Sequence, residues 1–307
     1  MSGFDVKIFF SKLLVFVCLL IVADRCFGLV MEKVLSETNK GDWGRNNYLM
    51  DEAVGDVLIM GSSRAIHHYD AGSLSDSLGM KCINAGEDGM GILLMNTRLK
   101  HIAERLTPKV VIYEFLPEYD HDSELDNSRY LKFLRTYVDH PDVKECVMDI
   151  SPNERWKLQS KMYMYNSVFL DIISQRFSRD PTMSKDILWA PLNGEYNGTH
   201  EMISIGGNSS ADPLKERYLR DLVQICIDNG IRLVFVISPY YGCGTFTVPS
   251  SLASLCDEYS IPIFNHFSDP TFVSDPSLFV DPSHLNERGA SRFTIMIGEE
   301  VKGILRK

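Results

Sequence analysis

Five short apolar runs recur along the chain, and each stops at glycine, proline or a polar residue: DVLIMG (56–61), KCINAG (81–86), KVVIYEFLP (109–117), IRLVFVISP (231–239) and IPIFNHF (261–267). They are rich in Val, Ile and aromatic residues and lack the alternation of a half-exposed strand, so they suit strands buried on both faces. Between them lie segments with apolar residues at helical spacing. Residues 90–106 (MGILLMNTRLKHIAERL) are one such segment. Residues 213–229 (PLKERYLRDLVQICIDN) are another, capped by Asp212 ahead of Pro213 and stopped by Gly230. Residues 248–259 and 286–305 complete the set. Strand–helix alternation of this kind predicts an α/β fold: a three-layer α/β/α arrangement around a five-stranded parallel sheet. In such sheets ligands bind beyond the carboxyl ends of the strands.

The N-terminal segment is of another kind. Residues 8–23 read IFFSKLLVFVCLLIVA, interrupted only by Ser11 and Lys12. Two readings fit. The stretch 8–31 spans a membrane, with Lys12 snorkelling beside Lys7, or it is a cleaved signal peptide, although no A-x-A site follows. Either way the remainder is expected to be exported. The division predicted is an anchor or signal at 1–31, a connector at 32–52, and one domain at 53–307. Residues 118–211 are a long insertion in that domain, with helices near 129–138 and 154–178 and a Gly/Asn/Ser-rich loop at 193–210. The chain has 307 residues, 45% of them hydrophobic, which is enough for a large core. Its net charge of -10 comes without a basic stripe, which argues against nucleic acid as a partner.

Two stretches carry chemistry. VLIMGSSRAIHHYD (57–70) ends a buried strand in glycine and two serines, which fits either a nucleophile at the strand end or an ordinary strand-to-helix turn. VDPSHLNERGASRF (280–293) holds His284, the only one of eight histidines with an aspartate three residues before it. A tight turn sets Asp281 on one imidazole nitrogen and leaves the other free, as a general base requires. A serine after the first strand, Ser62 or Ser63, can then meet His284 across the top of the sheet.

GSS after the first strand, NAG after the second and DxxH before the last helix resemble the SGNH, or GDSL-like, hydrolase superfamily. GSSRA…HHY with DPSHLNERGA is similar to its membrane-anchored bacterial branch, linked to cell-envelope polysaccharide acylation. The resemblance implies Ser63 as nucleophile, with Ser62 where the family usually has Asp. It also implies Asp281 and His284 as the base pair and Gly86 as an oxyanion donor. The implied activity is ester hydrolysis or O-acyl transfer on an acylated carbohydrate, beside envelope polysaccharide machinery and without cofactor or metal. The third-block asparagine is missing: EYDHD follows the third strand. The backbone N–H groups of Ser63 and Gly86 remain as donors, and losing one donor costs on the order of 10²–10³ in rate. A non-catalytic envelope module of the same fold is the alternative that this departure favours.

Other residues have two readings each. Arg64 binds an anionic substrate group or pairs with a neighbouring carboxylate. Tyr240 and Tyr241 line a sugar pocket or pack in the core and rim. His67 and His68 are adjacent, so they face different ways and make a poor metal pair. Glu114 and Glu118 are not brought to the separation a glycosidase needs. The seven cysteines include no C-x-x-C, and Cys82 and Cys226 read as small core residues. Asn197-Gly-Thr and Asn208-Ser-Ser are acceptor sequons.

Overall fold

The computed structural model describes residues 3–179, 188–198, 202–205 and 210–306. The chain divides into two compact units: Met1–Asn47 with Leu131–Thr182, and Tyr48–Tyr130 with Met183–Lys307.

The second unit contains a five-stranded parallel sheet. Its strands are β1 (Val57–Gly61), β2 (Cys82–Asn84), β3 (Val110–Glu114), β4 (Arg232–Ile237) and β5 (Ile263–Asn265), in the order β2-β1-β3-β4-β5. These are the five apolar runs. Register is continuous: Val57 lies beside Cys82 and Val110, Gly61 beside Glu114, Val111 beside Leu233, and Phe235 beside Ile263. Every residue of β1, β2 and β3 is buried. Val57, Ile59, Val110, Ile112, Val234 and Val236 join one core cluster with Phe293 and Ile297 of the helix Glu287–Leu305. That helix packs on Ala71–Leu78 and Ser63–His68, while Ile92–Ala103 packs on Pro213–Asp228. The predicted caps hold. Asp212 accepts from the N–H of Leu214 at 2.8 Å and of Lys215 at 3.4 Å, and Asn286 accepts from Gly289 N–H at 3.0 Å. Cys82 and Cys226 are buried, which pushes both thiols up to about 12.

Residues 32–52, expected as a connector, are helical over most of their length. The first helix runs Gly3–Ser36, and a second spans Gly41–Asp51. The latter is polar in composition, but its Trp43 is buried and stacked on Phe133 and Tyr137 at 5.8 and 6.3 Å. The helix expected at 154–178 is three pieces, Glu154–Lys157, Lys161–Tyr165 and Phe169–Arg176. Ser160 starts the middle piece by accepting from Tyr163 N–H at 3.2 Å. A further helix, Pro141–Ile150, begins at a proline, a position that needs no N–H donor. In the second unit, the stretch read as a loop at 193–210 contains a strand, Met202–Ile205, parallel to Cys243–Phe246. The Asn208 sequon lies outside the described residues.

Candidate active site

β1 ends at Gly61 with φ of +139°, where a Cβ would stand 2.5 Å from the Glu114 carbonyl oxygen. Only glycine fits so close a passage. The chain then turns into the short helix Ser63–His68. Ser62 is fully buried and its hydroxyl finds no partner among the described residues. Ser63 is half-buried, and its Oγ lies 2.9 Å from His284 Nε2. That separates the two serines in favour of Ser63.

His284 stands on a tight hairpin in which Phe279–Asp281 pairs antiparallel with His284–Leu285. The Asp281 carboxylate turns back onto its own loop. Oδ1 accepts from Ser283 N–H at 2.8 Å, Ser283 Oγ at 2.9 Å and His284 N–H at 3.0 Å. Oδ2 is 2.9 Å from His284 Nδ1. Burial works against this carboxylate, but the His284 hydrogen bond and charge, with the bonds from Ser283, outweigh it and hold Asp281 at about 2. With Nδ1–H donated to Asp281, Nε2 carries a lone pair facing Ser63. The hairpin is pinned from outside as well. Tyr241 N–H donates to the Pro282 carbonyl at 2.7 Å, and Leu285 N–H donates to His68 Nε2 at 3.0 Å.

The last bond belongs to a buried polar cluster under the site. Because His68 Nε2 accepts, its proton sits on Nδ1, 2.8 Å from Ser238 Oγ. Ser238 donates in turn to Glu114 Oε1 at 2.6 Å. Glu114 also receives Ser238 N–H at 3.0 Å and the Tyr69 hydroxyl, and its Oε1 is 3.4 Å from Arg64 Nε. Arg64, His68, Glu114 and Ser238 are all buried. Complete burial, then the charges of Arg64, His284 and His67, push His68 well below the usual histidine range. Burial, then the Glu114 charge, pushes Tyr69 up. Glu114 and Ser238 close β3 and follow β4. The signal in the sequence was a polar residue ending a buried run.

Of the two readings given for Arg64 and for Tyr240 the structure fits the second, and Gly86 is placed differently from expectation. Arg64 does not face a ligand: its guanidinium turns inward to Glu114, to Ser238 Oγ at 2.9 Å and to the carbonyls of Ser238 and Pro239. A buried carboxylate outcompetes solvent for a buried cation. The Gly86 N–H is already engaged, donating to Asn84 Oδ1 at 3.1 Å. Gly86 instead permits close packing, since a Cβ there would lie 2.7 Å from Ala65 Cβ and Ile66 N. Tyr240 is half-buried and stacks on Phe267 at 5.5 Å, while Tyr241 is buried against Tyr196 and Phe279. His67 and His68 diverge as expected: His67 bonds the Ala190 carbonyl at 2.6 Å and Asp88 at 3.0 Å.

In the segment that follows β3, Asp120 is buried. Its carboxylate accepts Tyr113 OH and Leu116 N–H, both at 2.7 Å. Burial raises Asp120 to about 7 against those two hydrogen bonds.

Ser63, His284 and Asp281 thus form a hydrogen-bonded relay, with the Ser63 N–H at a helix start where no intrahelical acceptor exists. The chemistry open to it is attack on an electrophilic carbonyl by an activated hydroxyl. No protein-family model matches the chain, and no curated protein is significantly similar to it.

Proposed function

We propose that the chain is a serine-dependent acyl-ester enzyme of the SGNH kind, acting on an O-acylated carbohydrate of the cell envelope. The observation that carries this reading is the relay Ser63 Oγ–His284 Nε2–Asp281, closed at 2.9 Å on each side of the imidazole. His284 takes the Ser63 proton as Oγ attacks the ester carbonyl. Asp281 stabilises the resulting imidazolium and the Ser63 N–H faces the oxyanion. The alcohol leaves with the proton that His284 returns. Water or a sugar hydroxyl, deprotonated by the same histidine, then releases the acyl group. Hydrolysis and transfer use the same residues.

The fold reading that accompanies it is the three-layer α/β/α form. Support comes from the 2-1-3-4-5 strand order, shared with doubly wound sheets, and from strands buried on both faces. The first helix is read as an uncleaved anchor that leaves the remainder on the outer side. Its support is a helix whose apolar first part is long and apolar enough to cross a membrane, and the continuity of Gly3–Ser36, whose later residues pack into the first unit. Phe27 meets Tyr165 and Phe169, and Met31 and Leu35 are buried. Cleavage after the apolar stretch would cut this helix. The carbohydrate substrate and envelope machinery rest on the motif resemblance.

One observation favours a second reading. With Gly86 N–H engaged and no third-block asparagine, the expected oxyanion donors shrink to Ser63 N–H, as in a fold kept for glycan binding or assembly without turnover. The two are separated by offering an acetyl ester to the full chain with and without a sugar acceptor. Ser63-dependent release of acetate supports hydrolysis, and Ser63-dependent acetylated sugar supports transfer. Neither product, on folded protein, supports the binding module.

A further inference from the structure

The first unit contains a groove of about 600 Å³ on the first helix, lined by Leu20, Ile21, Arg25, Trp156, Lys157 and Met162 among others. Trp156 is 73% exposed, and Leu20, Ile21 and Met162 are exposed beside it. So much apolar surface at one place needs an occupant. The polar side is built. Asp24 accepts from Ser160 Oγ at 2.6 Å, Met162 N–H at 2.9 Å and Lys161 N–H at 3.0 Å, so it caps the next helix. Arg25 donates to the Gln159 carbonyl at 2.8 Å, and Lys157 bonds Glu154 at 3.0 Å. Both side chains remain about half exposed and keep further N–H donors. Arg25 Nε lies 4.0 Å from Asp24 Oδ2 and Lys157 is paired with Glu154, so the groove has two paired but half-exposed cations at its rim.

Helix length decides what fills it. Residues 8–23 rise about 24 Å at about 1.5 Å per residue. A bilayer hydrocarbon core is about 30 Å thick. The apolar stretch is therefore too short to stand clear of the unit it enters. If it spans, the hydrocarbon boundary must reach the level of Leu20 and Ile21, which is the level of Trp156 and Met162. Trp156 would then sit where tryptophans gather at bilayer interfaces, with Arg25 and Lys157 at phosphate height.

We propose that this groove is a phospholipid site at the bilayer surface, with Trp156 and Met162 among the upper acyl carbons and Arg25 and Lys157 on the phosphate. The proposal rests on the reading of the first helix as a membrane span. It is independent of the serine chemistry. The test reconstitutes the full chain into phosphatidylcholine–phosphatidylglycerol vesicles, with and without bromine on the phosphatidylcholine chains near the headgroup. Trp156 fluorescence is taken as the difference between the full chain and its Trp156→Phe variant. Flotation of the vesicles is scored in parallel. The expected result is a chain that floats and a Trp156 signal that bromine quenches at least about twofold, as for an interfacial tryptophan. A chain that floats with its Trp156 signal unchanged by bromine overturns the lipid site while leaving the span intact. A chain that does not float overturns the span and the lipid site with it.

Discussion

Ser62 and Ser63 are neighbours in sequence and unlike in everything a nucleophile needs. One is sealed in the interior, and the other reaches a histidine whose far nitrogen is held by a carboxylate. Replacing Asp281 with Asn should therefore lower the rate of Ser63 acylation by at least about 10²-fold while leaving the fold in place, measured by rapid labelling kinetics. The Asp281 carboxylate has a folded value near 2 against an ordinary 3.8. It adds stability above pH 3.8 that is lost as pH falls toward 2. With the side chain 47% exposed, screening keeps that contribution small. Gly86→Ala should act by crowding: a methyl 2.7 Å from Ala65 and Ile66 must displace the helix that carries Ser63. A loss of about 1–3 kcal/mol in chemical denaturation and slower labelling are expected together. The relay residues were legible because DxxH is local and its geometry follows from one tight turn. The Arg64 partner was not, because Glu114 is brought in from β3, fifty residues along the chain; the Gly86 N–H bond to Asn84, two residues earlier, is local.

The hairpin that carries Asp281 and His284 is held by what lies behind it. His68 accepts from Leu285 N–H only while neutral. Below the ordinary value of 6.5 the unfolded chain takes a proton that the folded one refuses, so stability falls as the solution is acidified. His68→Gln should flatten that fall between pH 6.5 and about pH 5 in denaturation curves, because Arg64, His67 and His284, whose charges oppose a cation there, then face a group that does not titrate. Glu114→Gln would leave the Arg64 charge buried without its counter-ion, and a loss of about 3–5 kcal/mol is expected in the same assay. The five strands and the capped helices were readable because burial on both faces leaves an unbroken apolar run and a cap leaves a local signature. The Gly41–Asp51 helix was not. Most of its residues are buried, polar Arg45 and Asn46 among them, and Trp43 is held by aromatic partners about ninety residues away rather than by an apolar periodicity of the segment's own.

For the whole molecule, the first helix belongs both to the apolar N-terminal segment and to a folded unit. Asp24 caps the helix Lys161–Tyr165, half-buried Phe27 meets Tyr165 and Phe169, and Met31 and Leu35 are buried. A chain shortened to begin at residue 37 should expose the unit's interior and aggregate, measured by light scattering against the full chain. The apolar segment was readable from hydropathy alone. That its helix continues to Ser36 was not, because beyond Asp24 the helix is held by contacts from Gln159–Phe169, far along the chain.

Everything proposed for the site depends on Ser63 being an activated nucleophile. The most direct measurement is covalent labelling of the full chain with a fluorophosphonate, mapped by mass spectrometry and repeated on Ser63→Ala and His284→Ala. One label per chain is expected on Ser63, absent from the first variant and slowed by at least about 10²-fold in the second. Folded protein that takes no label at Ser63, or a Ser63 label indifferent to His284, would contradict it.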